Sequence, residues 1–426
     1  MGNEALDAAL TEYAEVGERY MRALEDKGLV FAEPHAGEAR RAELRAELAA
    51  RGVDVRNAGA SLSAGHLSPA CVECTGNRGS ETFSTTFKCH RDCYFCFNHN
   101  QPDYDKFFRE GCPWEESLAR AADENETLAC VGLTGGEPLL DLENALRFLG
   151  RAGELWPSAH KRLYTSGDLL TEESAALLRD AGLDEIRFSV KDDDEPEQQD
   201  RVIAAMKLAR RYIPSVMVEM PVIPGADEHM RQLFRRFEEV GIDGINLLEF
   251  CFPFCNWDEF SRRGFTLKNP PFEVMYDYGY SGGLAVAGSE ELVLELMLWA
   301  LDEGLTFGMH YCSLENKHRS EIRQKNERAA RAHPCVEFDE GDFFLKTAKV
   351  FGPDVEAARR ALEAAGCADF MEDPDEQSLA FPPRYREAAR AAKRADGESV
   401  RPMTCYLVYE TEGSGGYLID VALREA

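Results

Sequence analysis

From Thr82 onward, short apolar runs alternate with longer stretches patterned at helical spacing, the mark of parallel βα units. The apolar runs predict seven strands: Phe83–Lys88, Leu128–Leu133, Arg162–Tyr164, Glu185–Val190, Val216–Met220, Ile245–Phe250 and Leu305–His310. Pro113–Asn125 opens with proline and acidic residues, as helix N-termini prefer, and a helix near Glu290–Glu303 precedes the last strand. Polar or glycine-rich text follows the strands repeatedly: Thr134-Gly135-Gly136-Glu137-Pro138, Thr165-Ser166-Gly167-Asp168, Lys191 with an acidic run, and Pro221 to Gly225. In βα barrels, full or partial, chemistry sits at that end of the strands.

The flanks have a different rhythm. Ala5, Leu6, Ala9, Tyr13, Val16, Tyr20 and Leu24 recur at helical spacing, and Ala39–Ala50 carries a second such stripe beyond Pro34 and Gly37. The expected organisation is a helical annex over 1–60, a Cys-containing loop over 61–81, a barrel over 82–311 with an insertion at about 251–289, and a small α+β domain over 312–426. That last stretch predicts a charged helix Leu314–Ala332, hairpins Val336–Phe338/Phe343–Thr347 and Cys405–Thr411/Tyr417–Val421, and helices Val355–Ala365 and Arg384–Arg394. Gly413–Gly416 reads as a turn, because no strand-to-helix transition follows it.

Composition narrows the class. The chain has 426 residues, 44% hydrophobic and 29% charged, as in an ordinary soluble globular protein. No apolar run reaches the length of a membrane span and Met1–Asp26 has no signal-peptide core, so the expected compartment is the cytoplasm. A net charge of −29 repels phosphate backbones, so neither nucleic acid nor membrane is an expected partner. Thirteen cysteines in that compartment point to metal ligands and buried thiols rather than disulfides.

Three of those cysteines lie in Phe87-Lys88-Cys89-His90-Arg91-Asp92-Cys93-Tyr94-Phe95-Cys96. A Cys-x3-Cys-x2-Cys run can present three thiolates from one short loop, holding three corners of a [4Fe–4S] cube and leaving the fourth iron open. Most such clusters are closed by a fourth thiolate, so an open iron suggests a ligand site. A structural zinc or an inert thiol cluster is the plain alternative. Further on, Gly135-Gly136-Glu137-Pro138 ends a strand. Glycines let backbone approach a ligand, and Glu137 with nearby carbonyls can accept hydrogen bonds from an ammonium. Alone, the segment reads as well as a βα turn with a capping acid.

Together the two motifs resemble the radical SAM superfamily, and the pattern from Thr82 to His310 is similar to its partial (β/α)6 TIM-type barrel. The resemblance implies a [4Fe–4S] cluster on Cys89, Cys93 and Cys96, with S-adenosyl-L-methionine (SAM) chelated at the open iron. It implies Gly135, Gly136 and Glu137 at the methionine amino group, Ser166 at the carboxylate or ribose, and Ser189 at the ribose. Lys191 resembles the lysine that activases of glycyl radical enzymes set against the SAM carboxylate, and Val222–Gly225, with Ile223, resembles the segment that packs on adenine. Tyr94 and Phe95 would shield the cluster or touch adenine. Lys191 reads equally as a solvated charge, and Val222–Gly225 as core packing.

The reaction so implied is anaerobic and belongs to an oxidoreductase class. An electron from a low-potential flavodoxin- or ferredoxin-type donor cleaves SAM to methionine and a 5′-deoxyadenosyl radical, which abstracts hydrogen from a peptide or small metabolite. A non-catalytic iron–sulfur and SAM-binding sensor, or a zinc-stabilised scaffold, are the alternatives. The nearest resemblance is to the group around pyruvate formate-lyase activating enzyme; the extra C-terminal domain and Cys96-Phe-Asn-His99 depart from it. No compact cysteine array of the SPASM type follows the barrel.

The cysteines also allow a second metal site. Cys71-Val-Glu-Cys74 has three readings, half a metal site, a redox pair or chance, and the first is favoured because no βαβ unit accompanies it. With Cys312, and Cys255 or Cys335 as a fourth ligand, it would hold an auxiliary iron–sulfur cluster or zinc. Cys251 and Cys255 read as buried thiols, and the aromatic run Met275–Tyr280 and His310–Ser313 fall near the barrel mouth.

Overall fold

The computed structural model describes residues 2–76, 79–124, 127–191, 194–275, 283–330, 333–412 and 415–425. It comprises two compact units: Val30–Pro271 with Tyr280–Lys317, and Met1–Leu29 with Phe272–Gly279 and His318–Ala426.

The larger unit is built on a nine-stranded sheet. Its strands are β1 (Asp54–Arg56), β2 (Ser61–Ala64), β3 (Ser80–Ser84), β4 (Cys130–Thr134), β5 (His160–Thr165), β6 (Glu185–Phe188), β7 (Ser215–Val222), β8 (Gly244–Glu249) and β11 (Gly308–Cys312). Two short strands, β9 (Cys251–Phe252) and β10 (Leu284–Ala285), pair antiparallel within the insertion. The sheet order is β1-β2-β11-β8-β7-β6-β5-β4-β3. From β3 to β11 every neighbour is parallel, as the alternating text predicts. The fold is mixed α/β, an open parallel sheet of partial-barrel type.

Alternation along these strands sets what faces what. Leu133, Leu163, Ile186, Phe188, Val216, Val218, Met220, Ile245, Leu247, Met309 and Tyr311 join the core shared with the crossover helices. The intervening positions carry Tyr164, Glu185, Arg187, Glu219, Asn246 and His310. Arg187, only 2% exposed, bonds Glu185 and Glu219 at 2.5 Å each. Ser68 and the Cys71 sulfur complete its surroundings at 3.0 and 3.3 Å. Burying so many charged groups is tolerable because each is paired.

Several expected boundaries shift. Ser61–Ala64 is a strand, not loop: Ser-Leu-Ser-Ala alternates, Leu62 enters the core, and the segment pairs antiparallel with β11. Pro69–Gly76 is a helix carrying both Cys71 and Cys74. The first strand ends at Ser84, so Thr85–Lys88 is free to lead into the cysteine loop. Helix Glu38–Ala50 packs Leu44 and Leu48 into the barrel core, so the 1–60 annex is divided between the two units.

In the smaller unit, helix Glu4–Glu25 packs Leu6 and Ala9 on Phe351 and Met403, and Asn3 donates to the Phe351 carbonyl at 3.0 Å. The sheet contains β12 (Glu337–Phe338), β13 (Leu345–Phe351), β14 (Met371–Asp373), β15 (Ser378–Phe381), β16 (Met403–Glu412) and β17 (Gly415–Glu425). Its order is β14-β15-β13-β16-β17, all antiparallel, with β12 on β13. Both expected hairpin pairings are present; β14, with one apolar residue, and the four-residue β15 are additional to them. Gly413 and Ser414 of the expected turn, and Tyr276–Tyr280 of the aromatic run, lie outside the described residues.

Candidate functional site

At the C-terminal ends of the parallel strands lies a cavity of about 380 Å³, within the range of small-molecule sites. Cys89, Cys93 and Cys96 line it together with Gly135, Gly136, Glu137, Ser166, Ser189 and Lys191. The loop thus brings its three thiols to the same space as the polar strand ends.

The glycines explain how. The Gly136 amide donates to the Thr86 carbonyl at 2.8 Å, and the Glu137 amide to the Lys88 carbonyl at 2.7 Å. A Cβ on Gly136 would lie 2.0 Å from the Lys88 oxygen, and one on Gly135 2.4 Å from the Thr86 oxygen. Gly135 also holds φ at +108°, a region side chains avoid. The pair therefore exists to stitch the end of β4 against the lead-in to the cysteine loop. Asn98 closes the far side, donating to the Gly135 carbonyl at 2.5 Å.

Glu137 is a brace. Its Oε1 accepts from the Thr165 hydroxyl (2.8 Å) and the Leu139 amide (3.1 Å), and its Oε2 from the Ser166 amide (2.7 Å) and hydroxyl (2.6 Å). Three of these donors are committed to it, and the Ser166 hydroxyl is shared with Asp168. The side chain is 1% exposed at the edge of the cavity.

Charges tie down the other flank of the loop. Arg91 reaches Asp194 at 2.7 Å and Asp168 at 3.4 Å, and His90 contacts Asp168 at 2.9 Å. Burial would raise the Asp168 carboxyl, but the Ser166 hydroxyl, Arg91 and His90 bring it below its usual value. Ser166 lies 2.7 Å from Asp168 as well as 2.6 Å from Glu137, so its single proton is committed within the wall. Lys191 donates to Ser189 Oγ at 2.7 Å, and no carboxylate of the described residues lies within 4.0 Å of it.

Burial raises the Cys89 and Cys96 thiols above their ordinary value, while the Lys191 charge opposes the shift. A bound cationic iron site would reverse that penalty. All three cysteines are unbridged. Among the described residues, no three His, Cys, Asp or Glu side chains are grouped to hold a single metal ion. The donor set fits a three-thiolate cluster.

The remaining expected residues fall differently. Phe95 lines the cavity, whereas Tyr94 packs edge-on against Phe95, Phe260 and Phe250 at 5.0, 5.3 and 6.2 Å, beneath Arg263 at 4.0 Å, and is not among the lining residues. Ile223 is buried and does not line the cavity; Pro221 does. Cys71 is buried on Arg187 and Asn246, Cys312 is buried and accepts from Asn316 at 3.5 Å, and Cys74 is exposed. Cys335 is buried, and Cys255 points its sulfur to the Cys96 carbonyl at 3.9 Å. Lining residues that sequence reasoning missed include Phe97, Asn98, Tyr164, Glu219 and Lys317, while Cys251 belongs to the insertion expected near the barrel mouth. Strand alternation could have found Tyr164 and Glu219; nothing local marks Lys317.

Residues 83–237 match the Radical SAM superfamily family description. The matched segment takes in β4 to β7 and contains Cys89, Cys93, Cys96, Gly135, Gly136 and Glu137. A protein of Methanocaldococcus jannaschii, whose name proposes a glycyl-radical enzyme activating enzyme, is 28% identical over 246 residues, or 54% of this chain. The match spans 60% of that relative's length. Among solved structures, SuiB of Streptococcus suis bound to SAM is 15% identical with a TM-score of 0.38, covering 55% of this chain and 50% of SuiB. anSMEcpe with bound AdoMet and a peptide is 16% identical with a TM-score of 0.37, covering 54% of this chain and 62% of that one. No helix of the described residues is long and apolar enough to cross a membrane.

Proposed function

We propose that this protein is a radical SAM enzyme: it cleaves SAM reductively and uses the resulting radical to abstract hydrogen from a substrate. The observation that carries the reading is one cavity lined by Cys89, Cys93, Cys96, the Gly135-Gly136 stitch, Ser189 and Lys191. Cys89, Cys93 and Cys96 would hold the [4Fe–4S] cluster, which when bound supplies one low-potential electron to the SAM sulfonium, giving methionine and a 5′-deoxyadenosyl radical.

The chain's own residues prepare the site. Arg91, Asp168, Asp194 and Asn98 fix the loop, so the thiols are positioned before any cofactor arrives. Lys191, which meets no carboxylate of the described residues within 4.0 Å, offers its ammonium to the carboxylate of the methionine moiety, and Ser189 orients that ammonium. Phe95, Phe97, Pro221 and Phe250 give the cavity apolar walls that exclude water from a reactive radical. The electron comes from a low-potential flavodoxin- or ferredoxin-type protein. The name of the M. jannaschii relative supports a protein substrate; the cavity also admits a small one.

The test is anaerobic reconstitution with iron and sulfide, then SAM and dithionite, with 5′-deoxyadenosine measured by chromatography. Slow release without substrate is expected, and its loss in Cys93→Ala. Brown protein that binds SAM yet releases none would make it a binding module instead.

A further inference from the structure

Three charged groups that the SAM-cleaving apparatus leaves unused line the cavity: Glu219, Lys317 and Glu249, the last of which meets Lys268 at 3.5 Å. Glu219 is on β7. Its Oε2 accepts from Arg187 (2.5 Å) and Asn246 (2.7 Å), while its Oε1 takes no hydrogen bond from any described residue. Lys317 lies in the first turn of helix Leu314–Ala330, and its ammonium stands 5.9 Å from the Phe97 ring. Both line the same cavity.

The two charges are not paired with each other: Glu219 meets Arg187 through Oε2 alone, in an ion network that Arg187 shares with Glu185. Among the described residues, no carboxylate comes within 4.0 Å of the Lys317 ammonium. Burial pushes the thiols of Cys251 and Cys312, which lie within its electrostatic reach, up to about 12. Burial alone would raise the Glu219 carboxyl, but Arg187 and the Asn246 hydrogen bond hold it below its usual value, so it is an anion. Lys317 and Glu219 feel each other's fields without touching. An ammonium and a carboxylate oxygen left apart in a largely apolar cavity carry a desolvation cost that a bridging ligand would offset.

We infer that Lys317 and Glu219 form a substrate subsite for an amino-acid head group. The substrate carboxylate pairs with Lys317, and its neighbouring ammonium donates to Glu219 Oε1. The pairing uses a carboxylate oxygen that takes no hydrogen bond from any described residue and an ammonium that meets no described carboxylate within 4.0 Å. Fixing both ends of such a group would hold its carbon chain beside the SAM site, where hydrogen is to be abstracted. The inference rests on the SAM-cleaving reading and adds to it the class of substrate.

The experiment uses reconstituted full-length protein with SAM and dithionite, and each of the common L-amino acids, perdeuterated, at about 1 mM. Acetate and butylamine, each carrying half the head group, serve as controls. At least one amino acid is expected to raise 5′-deoxyadenosine release about tenfold and to place deuterium in it, whereas the controls do neither. Lys317→Gln should raise the half-saturating amino-acid concentration about tenfold or more, and Lys317→Arg, which keeps the charge, should restore part of it. The SAM dissociation constant is measured on the same variants. Stimulation by no amino acid, stimulation that survives Lys317→Gln, or a loss that falls on SAM affinity instead would each overturn the subsite. Wild-type protein that releases no 5′-deoxyadenosine under any condition would overturn the underlying reading as well, so the two failures are distinguishable.

Discussion

The amide of Glu137 donates to the carbonyl of Lys88 at 2.7 Å, joining the end of β4 to the residue that precedes Cys89. Gly136 makes this possible, because a Cβ there would sit 2.0 Å from the same carbonyl oxygen. Gly136→Ala is therefore expected to push the cysteine loop away at a cost of about 1–3 kcal/mol. Iron retained after reconstitution and desalting should fall well below wild type, while Gly150→Ala, with open space around its Cβ, should retain it.

Glu137 offers a second prediction. Glutamine keeps the shape of the side chain but replaces one acceptor oxygen with a donor that would face the Ser166 amide or the Thr165 hydroxyl. Glu137→Gln should lower unfolding stability by about 1–3 kcal/mol in urea titrations. A carboxylate whose only role was to touch SAM would give SAM affinity loss without that stability loss.

The buried ion network predicts an acid-sensitive fold. Burial alone would raise Glu185, but Arg187, His160 and Ser68 hold its carboxyl well below its ordinary value of 4.5. A depressed folded value contributes stability that is fully present above pH 4.5 and is lost as pH falls below it toward the folded value. Unfolding free energy should decline below pH 4.5 by up to about 1.4 kcal/mol per pH unit from this group, and Glu185→Gln should flatten that slope. Arg187→Leu, which strands Glu185 and Glu219, should cost about 3–5 kcal/mol at neutral pH.

Much of this architecture was legible before the structure. The two-residue and helical periodicities gave the parallel βα succession, and cysteine spacing plus Gly135-Gly136 marked the site. Neighbourhood in sequence misled for Tyr94 and Ile223, since each sits next to a site segment but turns away from the cavity. Glu137 looked like a ligand because a buried acid beside glycines reads the same whether it meets a substrate or four internal donors. Lys317 was invisible for a tertiary reason: only the fold brings a helix after β11 to the cavity that the cysteine loop borders. The 1–60 stretch was misassigned because helical periodicity says which face is apolar, not which core it enters.

Metal analysis bears on the remaining cysteines. Cys71 is engaged by Arg187 and Asn246, and no described group of three side chains converges on a single ion. Cys71→Ala and Cys312→Ala should both keep iron near ~4 per chain, the complement of one cube. Iron near ~8 in the wild type that drops in either variant would establish a second cluster.

The most direct measurement is 5′-deoxyadenosine released from SAM by the anaerobically reconstituted, dithionite-reduced protein. Wild type should form it in step with methionine, and single alanine variants of Cys89, Cys93 and Cys96 should form none. Equal release by wild type and those variants, or none from a wild type that carries the full iron complement, would contradict the proposed chemistry.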